Sequence, residues 1–497
     1  MDVQDNLYYA REFNRHTWSE HPEANRFITY LWDKFFSKEF SQFGRGKRPR
    51  IGLREQLKVL ILDLYLNWSD DPIKFLGVHM RPQSYVVNSR YKSTRTTALV
   101  IKLIHYASYL GLIEFHEGNE GANRVSRIRP TTMLKVLWGD YEFNPLDIAT
   151  HENKEVIILN EAEFDDILKK KKKSLPIEYK DSDNASIPQM RGDLEKYNKL
   201  LRETFIDIPT LKIPVIKHEK KVDGFPIEKF VNISQHNKFV RRIFYRGSWG
   251  LGGRFHGGWW QQLGEEWRKQ IYINDKPTYE QDYSGLHVNL AYGLEDKLPK
   301  QDPYTVDPIT GFDKVEQRRV IKKFVLITIN SNSIKSACSA FRKEEETGSI
   351  YKKFRNKDLQ VLLDAFIEKN QIIKNYLCSD KGVDFMALDG RITARIINYF
   401  TNKSVPILTI HDSYISNHKH AKELITVMNK AIKKEIGVKI NIDEEDFVFT
   451  EALANPGNEL FKMKELLDYQ DNTRHYTKTN EYKQRLKQFH NNQRNIQ

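Results

Sequence analysis

Tyr279-Glu-Gln-Asp-Tyr-Ser-Gly-Leu-His287 is a segment that changes character in its middle. Up to Asp282 it alternates as a strand does, and from Leu286 through Leu290 and Ala291 its apolar residues recur at helical spacing. A carboxylate at the end of a strand, facing a cleft, can hold a divalent ion while the next backbone carbonyl, that of Tyr283, adds a second ligand. Taken alone, an aspartate in such a turn is usually a helix cap, so its meaning depends on context. The context is a second acidic segment further along, Val405-Pro-Ile-Leu-Thr-Ile-His-Asp-Ser-Tyr-Ile415, which reads as an apolar strand, a polar tip and a return strand. That hairpin projects Asp412 from a buried scaffold. Between the two lies the helix-like Arg318-Arg-Val-Ile-Lys322, whose positions 318 and 322 share a helix face, so that a guanidinium and an ammonium converge on one anion. Two strand-borne carboxylates with a basic helix between them make a cradle for two hydrated magnesium ions and a nucleoside triphosphate.

The bulk properties fit a polyanionic partner. Lys plus Arg number 79 against 66 Asp plus Glu, a formal charge of +13, which attracts nucleic acid most strongly at low salt. The charge is spread along the chain and no apolar run approaches a spanning length, so a membrane is not expected as a partner. Met1-Asp-Val-Gln-Asp-Asn lacks the basic and apolar regions of a secretory signal. Cys338 and Cys378 are the only cysteines, too few for a disulfide framework or a cysteine-based zinc site, and a reducing intracellular (cytoplasmic) setting is expected. At 497 residues the chain has room for two to four domains.

Composition divides it. Residues 1–50 are aromatic and basic, ending in Gly44-Arg-Gly-Lys-Arg-Pro-Arg50, and read as an exposed arm. Over 51–140, Leu57, Leu60 and Leu64 recur at helical spacing, and a second apolar helix from about Thr97 stops near Gly111. Leu112-Ile-Glu-Phe-His116 and Arg124-Val-Ser-Arg-Ile-Arg-Pro130 then read as two short strands about a turn-rich link. A helix leading into an arginine-bearing hairpin resembles the winged helix-turn-helix of DNA-binding proteins, in which Arg124, Arg127 and Arg129 reach phosphates; the alternative is an ordinary helix and hairpin. Residues 141–195, with the run Lys169 to Lys173, read as a charged connector, 196–460 as the catalytic part, and 461–497 as a polar, basic tail with a fraying helix.

Four ordered segments carry a resemblance to the single-subunit right-hand polymerases: the family A DNA polymerase I type and the single-subunit phage and mitochondrial RNA polymerase type. Gly250-Leu-Gly-Gly-Arg-Phe-His-Gly-Gly-Trp-Trp260 resembles the template and primer contact segment, which implies nucleic-acid contacts by Arg254 and Trp259; the plain alternative is a tight turn. Asp282-Tyr-Ser resembles motif A, Arg318 to Lys322 motif B of the fingers, and His411-Asp-Ser motif C, the form nearer the RNA polymerases. The resemblance covers about 250–415, with Phe447-Val-Phe-Thr450 as a further palm strand. It implies an α+β right hand with an antiparallel palm sheet, helical fingers, and a thumb drawn from about 195–245. It also implies a two-metal mechanism in which Asp282 and Asp412 hold Mg2+ or Mn2+, Arg318 and Lys322 grip phosphate, and His411 touches the primer. Arg268 either adds a backbone or triphosphate contact or is a surface arginine. The chain departs from the pattern at Asn330, where the families place a tyrosine that helps judge the sugar. His287 takes the place of a bulky glutamate that excludes the ribose 2′-hydroxyl, favouring DNA, whereas Ser284-Gly-Leu-His287 and His411-Asp-Ser413 echo RNA polymerases.

The expectation is therefore a DNA-templated, primer-extending DNA polymerase of a mobile element using nucleoside triphosphates. A single-subunit RNA polymerase or primase, and a non-catalytic DNA-binding initiator or regulator, are the alternatives. Asp140-Tyr-Glu142 is the lone Asp-x-Glu upstream and lacks the companions of an editing exonuclease. Two carboxylates roughly 4 Å apart repel by about 4 kcal/mol at an effective dielectric of about 20, so an empty pair should take up divalent ions readily.

Overall fold

The computed structural model describes residues 10–41, 52–85, 89–93, 95–118, 125–151, 154–162, 164–165, 170–171, 174–222, 225–309, 313–346, 348–444 and 476–494. The chain is a mixed α+β protein built around three large apolar clusters.

The first cluster runs from Phe13 to Ile148. Helix Leu53–Asp70 contributes Leu57, Leu60, Ile61 and Leu64, all fully buried, and helix Pro22–Leu31 packs on it through Phe27 and Leu31. A four-stranded sheet completes the unit, in the order Ala10–Glu12, Phe75–Val78, Ser126–Pro130, Ile113–His116. Helix Leu99–Tyr109 ends at Gly111, whose φ of 70° turns the chain into strand Ile113–His116. Where it is described, the expected exposed arm is folded instead. Its strand Ala10–Glu12 pairs in parallel with Phe75–Val78, and Phe27, Phe36 and Phe40 are buried. Each such side chain gains roughly 1.5–3 kcal/mol on leaving water, which outweighs the scattered basic charge. Gly44 to Arg50 and Arg124 lie outside the described residues.

The expected connector is also folded. Ile157–Leu159 is buried and pairs in parallel with Val240–Tyr245, which pairs antiparallel with Ser248–Gly257. Helix Ile187–Arg202 lies across this sheet through Leu194, Tyr197 and Leu201. The side chains of the lysine run 169–173 lie outside the described residues. A helical thumb is not what 195–245 form, because beyond that helix the segment is an antiparallel hairpin, Val215–Val222 with Phe225–Asn232, followed by Val240–Tyr245.

A six-stranded antiparallel sheet positions the site, in the order Ile407–Ile410, Ser413–Asn417, Lys276–Tyr283, Tyr272–Ile273, Ile206–Asp207, with Ile442–Glu444 joined to Lys276–Tyr283. Helices Leu286–Leu294, Gly382–Asn402 and Ala421–Ile436 pack with it in one apolar cluster that continues into helices Lys314–Ile329, Ile334–Glu344 and Asn356–Lys369. Phe447 to Thr450 lie outside the described residues. Over 476–494 the expected fraying tail is docked. Helix Asn480–Arg494 buries Tyr482 and Phe489 against Phe205, and Arg485 forks onto the fully buried Asp207 at 2.8 and 3.0 Å. Among the described residues no helix is long and apolar enough to cross a membrane.

Candidate active site

The strand Lys276–Tyr283 sorts its side chains by simple alternation: Gln281 and Tyr283 are buried, while Glu280 and Asp282 point to the half-buried face. The Tyr283 hydroxyl donates to the Met428 carbonyl at 2.7 Å, which anchors the strand end to helix Ala421–Ile436. Register then brings the acids together. Asp282 pairs with Ser413 on one side and with Asp443 on the other, and the Tyr283 N–H donates to the Asp412 carbonyl at 3.3 Å.

Asp412 occupies the two-residue turn between Ile410 and Ser413, beside His411, whose φ of 52° is unusual for a residue other than glycine. The turn is braced from behind: Trp260 Nε1 and Gln261 Nε2 both donate to the Thr409 carbonyl, at 3.1 and 2.9 Å. Ser413 Oγ donates to Glu280 at 2.5 Å. Arg268 forks onto the same carboxylate at 2.8 and 3.0 Å and is not among the residues lining the cleft that holds Arg318 and Lys322.

Asp282 is left as the open acid. Burial first, then Asp412, Glu280 and Asp443, push its carboxyl up to about 7, against the opposing pull of Lys322. Its buried Oδ1 has no hydrogen-bond partner among the described residues. An unpaired oxygen in a cluster of like charges is a donor set awaiting a hard cation, and Mg2+ completes its shell with water and phosphate rather than with an all-protein cage. The residues present fit that ion. Among the described residues no group of three or more His, Cys, Asp or Glu side chains forms a ready-made metal cage, so any ion here depends on such outside ligands.

The basic side of the neighbouring cleft is built by helix Lys314–Ile329. Asp313 caps it, accepting from the N–H groups of Val315 and Glu316, and Val320, Ile321, Phe324 and Val325 face the core. Arg318 and Lys322 line a cleft of about 390 Å³ together with Ser284, Tyr304, Lys439 and Asp443. Arg318 Nε donates to Asp302 at 2.5 Å. The Tyr304 hydroxyl is buried without a partner among the described residues, and it lies so near Gly285 that an added Cβ would approach it to 3.1 Å.

Several expected contacts are turned elsewhere. Arg254 is drawn inward, donating to the buried Asp389 and, at 2.9 Å, to His287 Nε2, rather than presenting itself to nucleic acid. Burial and Arg254 hold the His287 imidazole down to about 3, so it is a neutral acceptor that packs on Phe385, and it is not among the cleft walls. Trp259 is fully buried in the core and offers no face to a base. Asn330 ends its helix, donates to the Leu326 carbonyl at 2.7 Å and abuts Gly382, away from the cleft walls. His411 remains exposed at the hairpin tip. In the N-terminal sheet Arg127 is buried, with a bond to the Val125 carbonyl at 2.6 Å, and Arg129 forks onto Glu114 at 3.0 and 2.8 Å. Neither reaches out to phosphate.

Two acids escape a reading of the sequence alone. Asp443 begins an acidic run that looks solvated. Asp389 lies in Ala387-Leu-Asp-Gly390, where an aspartate between apolar helix residues was the available signal. Burial pushes its carboxyl up to about 6 although Arg254 pairs with it.

No family model matches the chain, and no curated protein matches it. Among solved structures, it is similar to the "POL domain of Pol1 from M. smegmatis complex with DNA primer-template and dNTP", at 10% identity and a TM-score of 0.29 over 39% of this chain. The chain spans less than half, 45%, of that structure's length, and so slight a likeness carries no argument about function.

Proposed function

We propose that the chain is a nucleotidyltransferase that extends a primer along a DNA template, with the architecture of a right-hand polymerase and a DNA-binding N-terminal unit. The supporting observation is the register of three strands, which sets the raised, unpartnered carboxyl of Asp282 between Asp412 and Asp443 and within the influence of Lys322, while Asp443 and Lys322 also line the adjoining cleft that holds Arg318. A merely structural aspartate would be paired, as Asp207 is.

In this reading Asp282 and Asp412 hold two divalent ions, with the Tyr283 carbonyl as a further donor. Such ions, when bound, favour ionisation of an attacking hydroxyl and offset charge on the leaving pyrophosphate. Lys322 and Arg318 bind the triphosphate, Arg318 exchanging Asp302 for phosphate. Arg268 keeps Glu280 out of the reaction, and the Trp260 and Gln261 bonds hold the hairpin at the correct height.

One observation favours a second reading, synthesis of RNA or of primers. His287 is withdrawn onto Arg254, so the expected steric barrier to a 2′-hydroxyl is not at that residue. Extension of a labelled primer on a defined template with magnesium, using deoxynucleotides or ribonucleotides separately, decides between them. Asp282→Ala and Asp412→Ala serve as controls. Strand binding without any extension by the unmodified chain overturns the enzymatic reading and leaves a DNA-binding initiator.

A further inference from the structure

A second basic concavity lies where the N-terminal unit meets the sheet containing Val240–Tyr245. Two adjoining cavities of about 320 and 410 Å³ share Thr150, His151, Lys154 and His236. His151 stacks flat on Phe239, with ring centroids 3.9 Å apart, and Lys154 Nζ stands 5.0 Å from the centre of the same Phe239 ring. Burial, then the neighbouring Arg241, push the Lys154 ammonium down to about 8, and burial also lowers Arg241.

Neither cationic side chain has a hydrogen bond or ion pair among the described residues. Among the described residues the carboxylates lining the two cavities, Glu195, Asp63 and Glu12, make no hydrogen bond or ion pair to either. Asp63 is saturated by both guanidinium nitrogens of Arg11, the Asn14 N–H and Thr17, and Glu12 is an exposed side chain 3.7 Å from His79. A half-buried charge without a partner is costly, and sites that keep it generally complete it with a ligand of opposite sign.

Geometry connects this cavity to the catalytic hairpin. Arg241 pairs in register with His256 on the neighbouring strand, and the His256 ring lies 5.6 Å from that of His411, next to Asp412. We propose that the phosphodiester backbone of a single nucleic-acid strand binds through Lys154 in the cavity wall and through Arg241, which neighbours Lys154 outside the cavity lining, and that the Arg241–His256 face leads this strand to the hairpin. The direction of the strand rests on the polymerase reading; the phosphate site itself does not. The volumes are those of a small-ligand cavity rather than of a duplex groove, and the His151–Phe239 pair adds aromatic surface for a base.

Fluorescence anisotropy with a labelled 20-nucleotide single-stranded DNA, run over a salt series on the full chain, tests this. Lys154→Met and Arg241→Gln should each weaken binding about 10-fold and reduce the slope of log K against log salt by about 0.7. Lys154→Met should also raise the Tm, since it removes a half-buried charge that has no partner among the described residues; a side chain with a purely structural role would lower it. Unchanged affinity and slope in both variants overturn the proposal, even if primers are extended. Displacement of the strand by dTTP or inorganic phosphate at equal concentration also overturns it and assigns the cavity to a free anion. Strand binding that depends on Lys154 and Arg241 without any primer extension upholds the site and removes the polymerase reading alone.

Discussion

The Tyr283 N–H donates to the Asp412 carbonyl across 3.3 Å, so the strand end carrying Asp282 and the turn carrying Asp412 are tied by backbone as well as by register. Backbone bonds of this kind survive side-chain substitution. Changes at the two acids can therefore be read as chemistry rather than as unfolding.

The carboxyl of Asp282 lies at about 7 in the folded chain, above the roughly 3.9 of an unfolded aspartate, so the folded state holds this proton more tightly. The stability it contributes without divalent ions is complete below about pH 4 and is lost as pH rises through about 7. Thermal unfolding in EDTA should show the unmodified Tm falling over that interval relative to Asp282→Asn. Parallel curves would rule out the raised carboxyl.

Magnesium should reverse that loss, because an ion bound only by the folded state stabilises it by mass action. At neutral pH, millimolar Mg2+ should raise the Tm of the unmodified chain and leave that of the Asp282→Asn, Asp412→Asn double variant unchanged. An equal rise in both would place the ion elsewhere.

Lys322 and Arg318 should differ in weight. Lys322 acts on Asp282 directly, whereas Arg318 is already engaged by Asp302. Lys322→Ala is expected to lower kcat/KM for the nucleotide by about 100-fold, equivalent to about 2.7 kcal/mol, and Arg318→Ala by about 10-fold. Steady-state kinetics that reverse this order would assign the principal phosphate contact to Arg318.

Trp259 belongs to the core, so Trp259→Ala should cost about 3–5 kcal/mol in denaturant unfolding. Gly390→Ala should also destabilise, by about 1–3 kcal/mol, because its new Cβ would lie 2.4 Å from the Gly253 carbonyl oxygen. A Trp259→Ala chain of normal stability but weak DNA binding would restore the base-stacking role.

Removing Arg485 leaves Asp207 buried without its forked partner, and Arg485→Ala should destabilise by about 3–5 kcal/mol. Chemical denaturation measures this, and a change below about 1 kcal/mol would mean that the helix Asn480–Arg494 adds little to the fold.

What the sequence discloses here is local periodicity. The alternation into Asp282, the polar tip at Asp412 and the shared face of Arg318 and Lys322 all depend on residues within one or two turns of one another, and each is legible. Partners brought by register are not. Arg129 looks like a free wing arginine until strand pairing sets Glu114 directly opposite it. Arg254 looks like a template contact until helix Gly382–Asn402 presents Asp389 from far along the chain. Residues 10–41 differ: Ala24, Phe27, Ile28 and Leu31 recur at helical spacing, a legible signal that the aromatic and basic composition of the segment overshadows, and their burial on the neighbouring helix and sheet gives them a place.

The two hydrogen bonds accepted by the Thr409 carbonyl set a mechanical asymmetry. Trp260 and Gln261 fasten the acidic turn to the middle of the fold, while Arg318 is held by a half-exposed ion pair with Asp302 and a loose contact with the Tyr304 ring. On the proposed function the molecule resembles a vice with one fixed jaw, in which adjustment to each incoming substrate falls on the basic side and the acids serve as the stationary reference.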